Sequence, residues 1–177
     1  QRFVANRPDV LVFETEPLED DLMLSGPITA ELNVSMTGTD ADFIVKIIDV
    51  YPDTSAATSP IDEKIVMANY QMLVRGEILR GKFRNSFSNP EPFKPNEITP
   101  VKITLPDVAH VFKKGHKFMV QIQHTWFPLA DRNPNQFMDI YQAKKEDFIK
   151  NTHRLYFDKN HPSKIKVTVP EIVINKR

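Results

Sequence analysis

Hydrophobic and polar residues alternate along most of this chain. Ile28, Ala30, Leu32, Val34 and Met36 alternate with Thr29, Glu31, Asn33 and Ser35, the period-two pattern of a strand with one face in a core. The same rhythm predicts strands at 101–105, where Val101, Ile103 and Leu105 alternate with Lys102 and Thr104, and at 117–123 and 164–169. Residues 43–50 are nearly all apolar, as expected of a strand covered on both faces. Shorter apolar runs at 10–13, 72–74, 78–79, 155–157 and 172–174 predict further strands. One stretch departs from the pattern. Residues 143–151 contain good helix formers and neither Gly nor Pro, which predicts a short helix. Two long polar segments, 52–64 and 85–96, read as loops.

Composition sharpens this picture. The 177 residues include 14 Pro but only 5 Gly, and the prolines are spread so that no long helix escapes them. Proline is tolerated at strand starts, edges and turns but not inside helices, so the expected fold is all-β, a sandwich or barrel, with one short helix. Length suits a single domain over 1–177 with a real core. Lys plus Arg and Asp plus Glu both number 23, which argues against a nucleic-acid partner. No apolar run approaches the ~20 residues needed to span a bilayer as a helix, so no membrane partner is expected. Charge is uneven locally. Residues 9–21 carry six acidic and no basic side chains, whereas 141–177 carry nine Lys or Arg against four Asp or Glu. Solvated faces explain this simply; a sharper expectation is that the two segments run side by side on neighbouring strands.

Chemistry-bearing patterns are few. There is no cysteine, which excludes disulfides, thiol nucleophiles and thiolate zinc sites. The glycines at 26, 38, 76, 81 and 115 allow neither a Gly-x-Ser-x-Gly elbow nor a phosphate-cradling loop. His116 and His124 bracket one strand with equal parity, about 26 Å apart at the rise of a strand, too far to share an ion. His110 and His116 flank the Lys113-Lys114-Gly115 turn and are expected to approach each other, but no third ligand is evident. Asp40 and Asp42 lack the remainder of a calcium loop and read as turn-capping aspartates. No metal or other cofactor is expected. Asp49, Tyr51, Pro52 and Asp53 end an apolar strand, either as a plain strand terminus or as a loop edging a ligand pocket or a partner domain. The segment from Trp126 through Phe127 to Asp131, Arg132 and Asn133 holds the only Trp. Three roles stay open for it: a plug at the end of the sandwich, a docking surface, or a sugar-binding platform.

Several segments together resemble a known family. They are Gly38-Thr39-Asp40-Ala41-Asp42-Phe43 leading into 45–53, Arg80-Gly81-Lys82-Phe83-Arg84, and Phe112-Lys113-Lys114-Gly115-His116-Lys117 with Val120-Gln121-Ile122-Gln123. Trp126-Phe127-Pro128 with Asp131-Arg132-Asn133-Pro134, and Asn160-His161-Pro162-Ser163, complete the set. In this order, over about residues 7–173, they resemble the C-terminal domain of X-Pro dipeptidyl-peptidase-like hydrolases. That CocE/NonD group includes cocaine esterase, α-amino-acid ester hydrolases and glutaryl acylases.

The resemblance implies a jelly-roll, galactose-binding-like β-sandwich that forms the C-terminal part of a larger bacterial α/β-hydrolase protein. The Ser-Asp-His triad would lie upstream, consistent with the missing elbow, so no catalytic residue is assigned here. The absent initiator Met fits a chain that begins inside a longer one. The fragment alone is expected to be inert, the parent to be a serine hydrolase acting on ester or peptide bonds. Its expected partner is the N-terminal hydrolase domain of the same polypeptide, and a homo-oligomer formed through the parent is compatible with this. Tyr51, Asp53, Trp126, Phe127, Asp131, Arg132 and Asn133 are the candidate interdomain or pocket-wall residues. His124 stands where relatives often have small hydroxyl residues, and Leu129-Ala130 follow Trp126; both departures would shift substrate preference if this stretch edges the pocket. Family habit points to a periplasmic or secreted location. The reading from a different class is a carbohydrate-binding module, since jelly rolls often bind glycans and fold alone does not set function.

Overall fold

A computed structural model describes residues 1–55 and 66–170. Its strands are β1 (Leu11–Glu14), β2 (Leu22–Met36), β3 (Asp42–Val50), β4 (Gln71–Arg80), β5 (Thr99–Phe112), β6 (Lys117–Gln123), β7 (His153–Tyr156) and β8 (Lys164–Lys166). A single helical turn, α1 (Arg2–Ala5), precedes them. One sheet has the order β1-β6-β3-β4; the other runs β5-β2-β7, with β8 also on β2. Every pairing is antiparallel, and β1 pairs β6, β2 pairs β5 and β3 pairs β4. These nested pairs are the wrap of a jelly roll. Among the described residues no helix is long and apolar enough to cross a membrane.

The core lies between the sheets. Leu24, Ile28, Ala30, Leu32, Val34 and Met36 of β2 meet Phe43, Val45 and Ile47 of β3 there. All nine residues of β3 are buried, because its other face is covered as well, with Ile48 and Val50 packing on Met119 and Val12. Pro100 and Pro106 fit inside β5 because that strand is an edge, paired only with β2, and needs no donors on its open side.

Two bulges explain where the alternation stops being readable. Gly26 pairs Val108 but Ile28 pairs Leu105, so β5 carries an extra residue at Pro106–Asp107. Its buried residues therefore switch from Val101, Ile103 and Leu105 to Val108 and Phe112. Likewise Ile47 pairs Arg75 and Ile48 pairs Leu73, which leaves Val74 as the bulge that joins the two short predicted runs into one β4.

Three expectations are corrected. Residues 143–151 form no α-helix: two 3-10 turns stand at Ile140–Gln142 and Lys145–Asp147. Their backbone is recruited by the preceding loop instead, with Gln136 Nε2 donating to Asp147 O at 2.7 Å and Ile149 N to Pro134 O at 3.1 Å. The acidic and basic segments are not strand neighbours, since β1 pairs β6 while β7 and β8 pair β2. Glu14 and Asp21 bond Lys117 and Lys113, and Lys164 and Lys166 bond Glu31. Regular strand β8 ends at Lys166 rather than at 169. The predicted strand at 172–174 lies outside the described residues.

Candidate functional site

Most of the predicted site residues fall toward opposite ends of β3, while Trp126 lies over its middle, against Lys46. Asn133 is buried beside Asp42, where the strand begins, whereas Tyr51 follows Val50, where it ends. Nine residues of strand separate these ends by about 30 Å.

At the first end the side chains of Asp40 and Asp42 form a buried anchor. Asp42 takes a bidentate pair from Arg80, Nε to Oδ1 at 2.9 Å and Nη2 to Oδ2 at 3.0 Å. Asn133 Nδ2 donates to both carboxylates, at 3.1 Å to Asp40 Oδ2 and 2.8 Å to Asp42 Oδ1. Asp40 Oδ1 also accepts the backbone N–H groups of Ala41 and Lys82, each at 2.9 Å. Burial raises the Asp40 carboxyl above its ordinary pKa, and the neighbouring Asp42 adds to this. Arg80 is raised in turn by its bonds to Asp42. Three links carry the anchor into the loop that follows β6. Arg80 Nη2 donates to Asp131 O at 2.9 Å, Lys82 Nζ to Met138 O at 2.7 Å, and Asn135 N to Asn133 Oδ1 at 2.8 Å. Gly38 is required here, because a Cβ would sit 2.2 Å from Asn135 O.

That anchor fixes how the loop presents its aromatics. Trp126 does not project: its indole lies on Gly76 of β4, where a Cβ would come within 2.9 Å of the ring. The Lys46 ammonium is 4.3 Å from the ring centroid. Lys46 is itself buried, donates to Gln123 Oε1 at 3.2 Å, and is pushed below its ordinary pKa by burial and then by Arg7. Beyond the cis Phe127–Pro128 peptide, Phe127 and Leu129 are 63% and 68% exposed and Tyr141 is 82% exposed. Phe127, Asp131, Arg132, Ile140, Tyr141 and Phe148 line a cleft of about 270 Å³, with the Arg132 guanidinium 5.1 Å above the Phe148 ring. This end offers aromatic surface and both charge signs on a rigid mount.

The second end is organised around Asp49. Its buried carboxylate accepts His110 Nε2 at 2.9 Å and His116 Nδ1 at 2.8 Å. The two histidines thus approach each other, as their flanking of one turn suggested, and the acceptor between them comes from β3. Its place at the end of an apolar strand gave no sign of this. Tyr51 lies tilted against His116 at 4.5 Å and meets Tyr70 edge-on at 5.7 Å. Burial, with Asp49 and Tyr70, raises its phenol. Asp53 is exposed and, with Tyr51, Pro52 and Lys117, borders a cleft of about 400 Å³. Among the described residues no group of three His, Asp or Glu is arranged to hold a metal ion.

Comparison with known proteins assigns the chain. Residues 3–166 match the family described as the X-Pro dipeptidyl-peptidase C-terminal non-catalytic domain. The chain belongs to this family. It is 32% identical over 169 residues to cocaine esterase of Rhodococcus sp. (strain MB1 Bresler), a match covering 96% of this chain and 27% of that protein. Among solved structures, an aminopeptidase from a marine sediment archaeon, Thaumarchaeota archaeon, is 40% identical with a TM-score of 0.88, covering 97% of this chain and 27% of that one. An α-amino acid ester hydrolase is 42% identical with a TM-score of 0.87, covering 96% and 27%. The chain therefore spans about a quarter of the length of these relatives. It is a non-catalytic C-terminal domain of hydrolases of this kind, and in its relatives it forms part of a longer chain. The Asn160-His161-Pro162-Ser163 segment has a structural part in that domain: Pro162 O accepts Asn33 Nδ2 at 3.1 Å, and Ser163 Oγ accepts Asn33 N at 2.8 Å.

Proposed function

We propose that this chain works inside a longer serine hydrolase. There it packs on an α/β-hydrolase domain of the same polypeptide and helps to wall the substrate cleft. One observation carries the reading: a loop locked by buried charge at Asp40, Asp42 and Arg80 holds Phe127, Leu129 and Tyr141 out in solvent. Exposed aromatics beside an Arg are the usual anchors of a protein interface. Phe127, Asp131 and Arg132 would make the contact, while Trp126 and Asn133 position them. The parent would cleave esters or amides through an acyl-enzyme, its triad and oxyanion hole lying outside these residues. The Tyr51 and Asp53 loop, at the far end of β3, would contact a different part of the assembly or remain in solvent.

The test uses the full-length polypeptide. Phe127→Asp combined with Leu129→Asp is expected to lower kcat/KM on an ester substrate at least 10-fold and to split one unfolding transition into two. Unchanged activity with a single transition would overturn the reading. Residues 1–177 alone should hydrolyse no ester above a heat-treated control. A carbohydrate-module reading would rest on Trp126, which is half-buried with its ring against Gly76 and Lys46.

A further inference from the structure

Two histidines meet at the base of the anchored loop. His124 stands directly after β6 and His153 opens β7, so residues 125–152, with their exposed aromatics, run from one to the other. The two rings stack 3.7 Å apart and 23° from parallel, which closes the loop at its base. His124 Nδ1 donates to the Asp42 carbonyl at 2.7 Å, and Phe43 meets the ring edge-on at 5.2 Å. His153 Nδ1 is shut from solvent and makes no hydrogen bond. A hollow of about 230 Å³ flanks the pair and is bordered by Asp9, Asn151 and Arg154.

Neither ring is placed to take a proton. A charged His153 would bury an N–H without an acceptor, and two charged rings in this stack would repel each other. Among the described residues, the anions that face the pair are already engaged. Before β1, Asp9 is paired with Arg7. At the start of β3, the Asp42 carboxylate is taken by Arg80 and Asn133, and that of Asp40 by Asn133 and backbone N–H groups. The neighbouring charge on β7 is Arg154, a cation. Burial accordingly holds both imidazoles below their ordinary pKa, His153 at about 3. The strand that would have to move to relieve them is lightly held: β7 has four residues and pairs with β2 alone.

We propose that the His124–His153 stack is an acid-sensitive clasp, closed while both rings are neutral and opened by release of β7 from β2 when they take up protons. Opening exposes both rings to water, where each charges below pH ~6.5. The closed state binds fewer protons than the open one, so acid favours opening. Between about pH 7.5 and 5.5 the open population grows by about 10-fold for each ring, and so by at most about 100-fold for the pair. Opening of this kind is local: it frees the base of the 125–152 loop while the two sheets stay packed. The clasp belongs to this chain's own fold and stands or falls separately from the packing proposed above.

Amide hydrogen exchange on the full-length polypeptide at both pH values, corrected for the intrinsic rate, reads this opening. Amides of residues 153–156 are expected to exchange between about 10-fold and about 100-fold faster at the lower pH, while those of residues 44–49 in the core keep their protection. His153→Phe keeps a flat ring in the stack but cannot be protonated, and it should lower that ratio at least ~3-fold. Adding His124→Phe should remove the remainder; if the double variant does not fold, His153→Phe alone decides. A wild-type ratio below about 10-fold, or one that His153→Phe lowers by less than ~3-fold, overturns the inference. So does acceleration of 44–49 in step with 153–156, which would mean that the whole sandwich opens.

Discussion

The two ends of β3 each bury an aspartate, yet they hold it differently. Asp42 is gripped by a guanidinium and an amide, groups with fixed protonation, and through them an entire loop is fastened to the sandwich. Asp49 is gripped by two imidazoles that come from β5 and the turn after it. Among the described residues its network closes on itself and on Tyr51. The difference separates a mount from a tie: the first end positions exposed surface, the second joins the two sheets.

Substitutions can break or sharpen this contrast. Asp42→Ala should have the largest effect, about 3–5 kcal/mol of stability in chemical denaturation, because it strands a largely buried Arg80. Asp49→Ala should cost about 1.5–3 kcal/mol, the range for hydrogen bonds to a charged group. If it cost as much as Asp42→Ala, the two ends would be energetically alike and the distinction would fail. Gly76→Ala should cost about 1–3 kcal/mol by overpacking against the indole. Since Trp126 is the only tryptophan, a red-shifted emission would report its displacement, and an unchanged spectrum would show that the ring does not depend on Gly76.

The remaining prediction is one of slope. Burial, with His124 nearby, lowers the His153 pKa to about 3. The unfolded chain therefore takes up this proton below pH ~6.5 while the folded chain does not, and stability falls as pH drops from there toward about 3. The loss from this group is at most about 1.4 kcal/mol per pH unit. His153→Phe should flatten that part of the stability profile, and an unaltered slope would place the titration elsewhere.

How much of this was legible in the sequence depends on whether local rhythm or distant partners set the structure. Strand β6 was readable at both ends, and β3 to within a residue, because neither contains a bulge or a proline. β2 begins six residues earlier than its clean alternation, since Gly26 and Pro27 interrupt the reading, while the pairing with β5 resumes across the bulge there. β4 and β5 each change inward parity at a bulge, which no single period can fit. Residues 143–151 have helix-forming composition, yet their backbone groups are claimed by Gln136, Asn135 and Pro134, partners that propensity does not see. At the site, the motif Asp131-Arg132-Asn133 was visible, but its division of labour was not. Asn133 faces inward because Asp40 and Asp42 accept its amide, while Asp131 and Arg132 stay outside. Lys46 and Gln123 read as polar positions on strands, yet both are buried, joined to each other and capped by Trp126.

The nesting of β1 on β6, β2 on β5 and β3 on β4 also orders the assembly in time. Of these three pairs the outermost joins Leu11 to Ile122, so among them β1 needs the longest loop to close before any contact rewards it, and β8 on β2, which joins Lys166 to Thr29, closes a longer one still. Within the nest β1 is thus the last to arrive, and it has only four residues to hold it. In the free domain, local opening would come early at that strand.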